Sequence, residues 1–166
     1  MNDQDFTNST AMERPLNDDK DAWVAYWIHQ GQPWRTEPEI DLKRQKYLEE
    51  HRQVIPDMKE GIYPFKDIKL TRADVEWLLK THEGGRGPVN WNDPSQRTRD
   101  GINLCGADLC CVDLRHLPLT RLIAGLSYDL GPSKDERDKA AIRLQGADLR
   151  YAHLEGANLI WADLTN

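Results

Sequence analysis

Ile102-Asn103-Leu104-Cys105-Gly106-Ala107-Asp108-Leu109-Cys110-Cys111-Val112-Asp113-Leu114 opens a run in which leucine returns at every fifth residue. The column continues to Leu119 and resumes at Leu144, Leu149, Leu154, Leu159 and Leu164. Two residues before each leucine stands a second apolar residue, alanine at Ala107, Ala147, Ala152, Ala157 and Ala162, usually followed by Asp or Asn. A step of five advances an α-helix by about 500°, or 140° net, which scatters the leucines around the cylinder. An odd period also sends successive leucines to opposite faces of a flat strand. A chain that turns a corner every five residues, and points two residues of each short side inward, satisfies the period. The stretch therefore specifies a solenoid.

The runs Gly106-Ala107-Asp108-Leu109, Gly146-Ala147-Asp148-Leu149, Gly156-Ala157-Asn158-Leu159 and Ala162-Asp163-Leu164 resemble the A-[D/N]-L-x-x signature of pentapeptide-repeat proteins. That resemblance implies a right-handed quadrilateral β-helix with four pentads to a coil. The leucine and the residue two before it face the core, and the other three positions face solvent. The first inward set is then Ile102, Leu104, Ala107, Leu109, Val112, Leu114, Leu117, Leu119, Leu122 and Ala124. The second is Ile142, Leu144, Ala147, Leu149, Ala152, Leu154, Ala157, Leu159, Ala162 and Leu164. All are apolar in a chain that is 39% apolar, which is the pattern of a packed interior. Pro118 and Ala124 make the first run less regular than the second. From Gly125 to about Ala141 the repeat is interrupted, and Ser133-x-x-Glu136 reads as a capping box that starts a short helix over Asp135 to Ile142. Ala124 and Leu144 lie four pentads apart, so the register resumes in phase.

The predicted class is α+β, an α-helical head followed by a short quadrilateral β-helix with a small helical insertion. Residues 1–16 are polar, with nothing to bury, and read as a disordered tail. Residues 17–100 read as a helical capping region and linker, and 101–166 as the β-helix with its insertion at about 125–141. The first helix is expected from Asp18 to Gln30 with Asn17 as cap and Trp23, Tyr26 and Trp27 on one face. A second is expected from the capping box Thr36-x-x-Glu39 to Pro56, and a third from Thr71-x-x-Asp74. Between them the run IYPFKDIKL from Ile62 is short and extended, with Phe65, Ile68 and Leu70 as its apolar residues. The glycines and prolines from Glu83 to Asp100 read as a loop. Solenoids bury their core only between neighbours, so the first coil needs a cover. The helix faces bearing Trp23, Trp27, Trp34 and Trp77 are the expected one.

A net charge of -6 argues against general nucleic-acid binding, which leaves a basic footprint. The opening MNDQDFTNST has neither the apolar core of a signal peptide nor a membrane span, so a cytoplasmic location is expected and no membrane partner. Cys105, Cys110 and Cys111 all fall at outward pentad positions and form no disulfide framework. With His116 they do not match the spacing of a closed zinc site. His29, His51, His82, His116 and His153 lie in different segments, and none belongs to a nucleophile or zinc motif. No catalytic residue, cofactor or metal is therefore expected.

The reading that remains is a non-enzymatic interaction or scaffold module. Its partner is another protein, or a second copy bound through the C-terminal coil, and its candidate surface is Ile160, Trp161 and Tyr151. One alternative implied by the resemblance is a DNA mimic that occupies a type II topoisomerase. From Gly101 onward, nine Asp and Glu against seven Lys and Arg leave only -2. A stack about 12 Å tall would need roughly seven negative charges, at about 1.7 Å of helix axis each. A second alternative is an enzyme whose site collects His82, Glu83 and Arg86 between head and solenoid.

Overall fold

A computed structural model describes residues 12–16 and 18–165; the greater part of the predicted tail, the predicted cap Asn17 and Asn166 lie outside the described residues. The chain divides into two compact units, Met1–Pro38 and Glu39–Asn166. In the first, α1 spans Lys20–His29 and is capped by Asp19, whose carboxylate accepts from the Asp21 and Ala22 amides. Trp23, Tyr26 and Trp27 share a helix face, as i, i+3, i+4 spacing dictates, and both tryptophans are buried. Trp27 Nε1 donates to the Glu37 carbonyl at 2.8 Å, and the Arg35 guanidinium lies 3.6 Å from the Trp27 ring centre.

In the second unit α2 spans Leu42–Arg52. Its cap is Asp41, which accepts from the Arg44 amide at 2.7 Å, and not the expected Thr36. Pro38 explains the difference, because it biases Glu37 away from helical backbone just where a helix capped at Thr36 would begin. The Thr71 capping box forms as read, with Thr71 N–H donating to Asp74 at 2.8 Å and Asp74 N–H to Thr71 Oγ1 at 3.2 Å. The helix it opens, α3, spans Arg72–Lys80. Arg44 grips Asp74 with two bonds of 2.9 and 2.8 Å and Arg52 donates to the Thr81 carbonyl, which ties α2 to α3.

The repeat stacks through single-residue parallel bridges at the middle of each short side. Asn103 pairs with Ile123 and Arg143 with Asp163, twenty residues on, which is one coil of four sides. Asp108 pairs with Arg143, Asp113 with Asp148, Pro118 with His153 and Ile123 with Asn158, one coil plus the insertion. Among the described residues these bridges do not extend into longer strands. Corners fall two residues after each leucine: Gly106, Cys111, His116, Arg121, Gly146, Tyr151, Gly156 and Trp161 all have positive φ. A backbone bond closes each turn, such as Ala107 N–H to the Leu104 carbonyl and Ala162 N–H to Leu159.

The same corner recurs upstream. Asp67 has φ 59°, and Ile68 N–H bonds to the Phe65 carbonyl at 3.0 Å. Lys69 then bridges to Asp108 in parallel, while Leu70 N–H donates to the Asp108 carbonyl and Asp108 N–H to Ile68. Tyr63 with Phe65, and Ile68 with Leu70, are thus two degenerate pentads that lie on the first coil and continue into α3. Phe65 and Leu70 are buried. This half coil, where a short extended run is expected from the sequence, is the cover that the second unit itself supplies.

Of the inward positions from Ile102 to Leu144, all but Val112 are buried; from Ala147 onward every one is only half-buried, and Leu164 is 52% exposed. The insertion helix spans Lys134–Ala140, with both bonds of the Ser133–Glu136 capping box in place. It stops before the expected Ile142 because Ala141 turns extended and returns Ile142 to the core, where it is fully buried. Cys105 corrects an expectation: it points away from the coil yet is buried, in a small outer cluster with Tyr63, Leu126 and Ala140.

Two substitutions test this geometry by thermal unfolding. A Cβ at Gly125 would lie 1.9 Å from the Ile160 carbonyl oxygen, so Gly125→Ala should cost about 3 kcal/mol or more. Cys111 is exposed with φ 62°, so Cys111→Gly should leave stability unchanged or raise it by up to about 1 kcal/mol.

Candidate functional site

The walls of the last two coils are charged but locally neutral. Arg115 Nη2 lies 2.6 Å from Asp113, Arg150 Nη2 lies 2.7 Å from Asp148, and Arg115 Nε also reaches Asp148 at 3.6 Å. Each arginine stands two residues after its aspartate, on the outside of the same turn. On another wall Lys69, Asp108, Arg143 and Asp163 succeed one another from coil to coil, so the sign alternates at each step. Lys69 lies 3.4 Å and Arg143 3.6 Å from Asp108, and the Gln145 amide donates to Asp163.

The three candidate interaction residues do not form one patch. Tyr151 is 75% exposed and stacks flat on His116 of the coil before it, with ring centres 5.0 Å apart. Trp161 occupies the corner column of Asp67 and Gly106, two corners from Tyr151, which is the diagonally opposite edge of a four-sided coil. There it meets the insertion: its ring lies 5.0 Å from that of Tyr128, and the Arg137 guanidinium covers it at 4.2 Å. Ile160 is half-buried, with its carbonyl against Gly125. The repeat phase puts Trp161 outside, but only the folded insertion brings Tyr128 and Arg137 onto it.

His82 and Glu83 turn to different recesses. His82 Nε2 lies 2.8 Å from the Asp100 carbonyl and lines a cavity of about 270 Å³ with Phe65, Leu78 and Ile102. Glu83 accepts from Arg99 at 2.8 Å and Arg86 at 3.1 Å, beside Thr81 and Gly84. Glu83 is thus occupied by arginines. Burial pushes the Cys105 thiol up to about 12, whereas Cys110 Sγ donates to Gln145 Oε1 at 2.8 Å. Among the described residues no three His, Cys, Asp or Glu side chains converge on a metal position, and no helix is long and apolar enough to cross a membrane.

The Arg115 hydrogen bond, with Arg72 also near, holds the Asp113 carboxyl down to about 2 from an ordinary 3.8. A depressed acid stabilises the fold above its unfolded value, and that contribution is lost as pH falls from about 4 toward 2. Asp113 is 43% exposed, so the effect is screened and small. Asp113→Asn should make the acid limb of a stability–pH curve shallower, with the difference shrinking in high salt.

Residues 142–166 match the family model described as pentapeptide repeats (8 copies). No curated protein and no solved structure matches the chain. The matched segment holds the second leucine column, its alanines two residues earlier and its left-handed corners at Gly146, Tyr151, Gly156 and Trp161. By that match, and by bridges such as Arg143 to Asp163 twenty residues apart, this segment carries pentapeptide repeats.

Proposed function

We propose that the chain is a non-enzymatic, cytoplasmic interaction module, an α+β protein whose right-handed quadrilateral β-helix presents its last coil to a second copy of itself. The observation that carries the reading is the fall in burial along the solenoid. Leu104, Leu109, Leu114 and Leu119 are each 1% exposed, whereas the same inward positions from Ala147 onward are half-buried. A coil face combines such apolar side chains with backbone amides that a further coil can pair. A coil of the same cross-section is the best-fitting cover, and another copy supplies one. Because the insertion already holds Trp161, the association rests on Leu154, Leu159 and Leu164.

The wall charges argue against the DNA-mimic alternative. Asp113 and Asp148 are each neutralised by an arginine two residues away, so no continuous acidic track faces solvent on that wall. The engagement of Glu83 by Arg99 and Arg86 weighs against the enzyme alternative.

Sedimentation velocity over a concentration series tests the reading. The wild type should dimerise reversibly. Leu164→Lys, at an exposed position, should weaken association at least about tenfold while leaving thermal stability close to wild type. A wild type that stays monomeric at every concentration would sink the self-association reading.

A further inference from the structure

The cysteine pair at the Cys111 corner carries a chemistry that the interaction reading leaves unused. Cys110 and Cys111 are adjacent, with Cα atoms about 3.8 Å apart across a trans peptide. Both are free thiols, Cys110 half-buried and Cys111 exposed. Cys105 takes no part, since it is sealed in the outer cluster beside Tyr63.

Both sulfurs lean toward one residue of the next coil. Cys110 Sγ donates to Gln145 Oε1 at 2.8 Å, and Cys111 Sγ donates to the Gln145 carbonyl at 3.8 Å. The turn thus aims two neighbouring thiols along the solenoid axis to the same side. The corner that follows in this column is Gly146, where a Cβ would lie 3.3 Å from Cys111 Sγ. At the next corner Tyr151 covers His116 with its ring, whereas the glycine leaves the space beside the Cys111 sulfur open.

The donor set selects the ion. Among the described residues no third His, Cys, Asp or Glu side chain joins the two sulfurs. Structural zinc takes four ligands, and calcium and magnesium take six or more oxygens. Copper(I) prefers soft sulfur and is stable with two such ligands. The local charge fits as well, because copper(I) held by two thiolates has one net negative charge and Lys69 Nζ donates to the Cys110 carbonyl of the same turn. Asp108, which accepts from the Cys110 amide, is offset by Lys69 and Arg143. The hydrogen bond to Asp108, with burial, raises the Cys110 thiol, so it yields its proton only to a strong binder of thiolate.

We propose that Cys110 and Cys111 form a two-sulfur site for a single copper(I) ion. Two S–H bonds break and two S–Cu bonds form, both protons leave to solvent, and the copper keeps its oxidation state. The site lies on a side wall, so it is tested separately from any association of the last coil.

The full chain, reduced and free of oxygen, is mixed with copper(I) on the coloured chelator bicinchoninate, and transfer of the ion is read from the loss of colour. One copper(I) per chain should leave the chelator. Copper(I) is diamagnetic, so amide NMR locates it, with shifts centred on Cys110, Cys111, Gln145 and Gly146. Cys110→Ser keeps a hydroxyl donor for Gln145, and Cys111→Gly relieves a left-handed corner, so both should unfold at or above the wild-type temperature. Each should weaken copper retention at least about tenfold. Zinc(II) at the same concentration should leave these amides unmoved. The proposal is overturned if bicinchoninate keeps the copper, if either folded variant retains it like wild type, or if the shifts lie elsewhere. It is overturned equally if zinc binds as tightly, or if native mass spectrometry finds one ion shared between two chains.

Discussion

Everything in the solenoid depends on the residue that turns each corner. Two positions after each leucine the backbone enters the left-handed region, which costs an ordinary residue about 1–2 kcal/mol and a glycine almost nothing. Gly106, Gly146 and Gly156 avoid that cost, but Asp67, Cys111, His116, Arg121, Tyr151 and Trp161 do not. The offset is visible in where the corner amides go. Asp67 N–H donates to Gly106, Cys111 N–H to Gln145, His116 N–H to Arg150 and Arg121 N–H to Glu155, each to a carbonyl of the next coil. The strained conformation is what points these amides along the axis, so the bend that makes a coil also joins it to its neighbour.

That coupling explains what the sequence discloses and what it conceals. The leucine column, the inward alanines and the phase across the insertion are all legible, because a corner every five residues leaves the same two positions inside. The half coil from Tyr63 to Leu70 obeys the same rule with other letters: Phe65 and Leu70 are five apart, with Tyr63 and Ile68 two before them. It escapes a search for alanine and leucine because side-chain size is set by what fills the end of the stack. At a capped end an aromatic residue, Phe65, fits where the interior takes leucine. Only its corner, Asp67, and its bridge to Asp108 reveal that it belongs to the repeat.

The surface sites divide along a similar line. That Trp161 and Tyr151 point outward follows from phase, and that they stand at opposite edges follows from counting corners. Neither the clasp of Tyr128 and Arg137 on Trp161 nor the burial of Cys105 follows from either, because both depend on where a non-repeating segment folds back. An insertion that preserves the period is free to specialise. Here it uses Ala140 and Leu126 to close an outer cluster over Tyr63 and Cys105, which turns part of a plain wall into a lined recess.

Electrostatics then decide which surfaces remain available for binding. Asp113 and Asp148 stack directly above one another, an arrangement of like charges that is unfavourable on neighbouring strands. It persists because each aspartate is gripped by its own arginine and Arg115 bridges to the second aspartate. On the Lys69–Asp108–Arg143–Asp163 wall the signs alternate: Asp108 pairs with Lys69 and Arg143, and Asp163 accepts from the Gln145 amide. Both arrangements use up charge to fix register between coils, so they leave little long-range field to attract a charged partner. What the charges leave over is apolar surface, on the half-buried inward positions of the last described coil and in the recess lined by Ile123, Leu126 and Leu130.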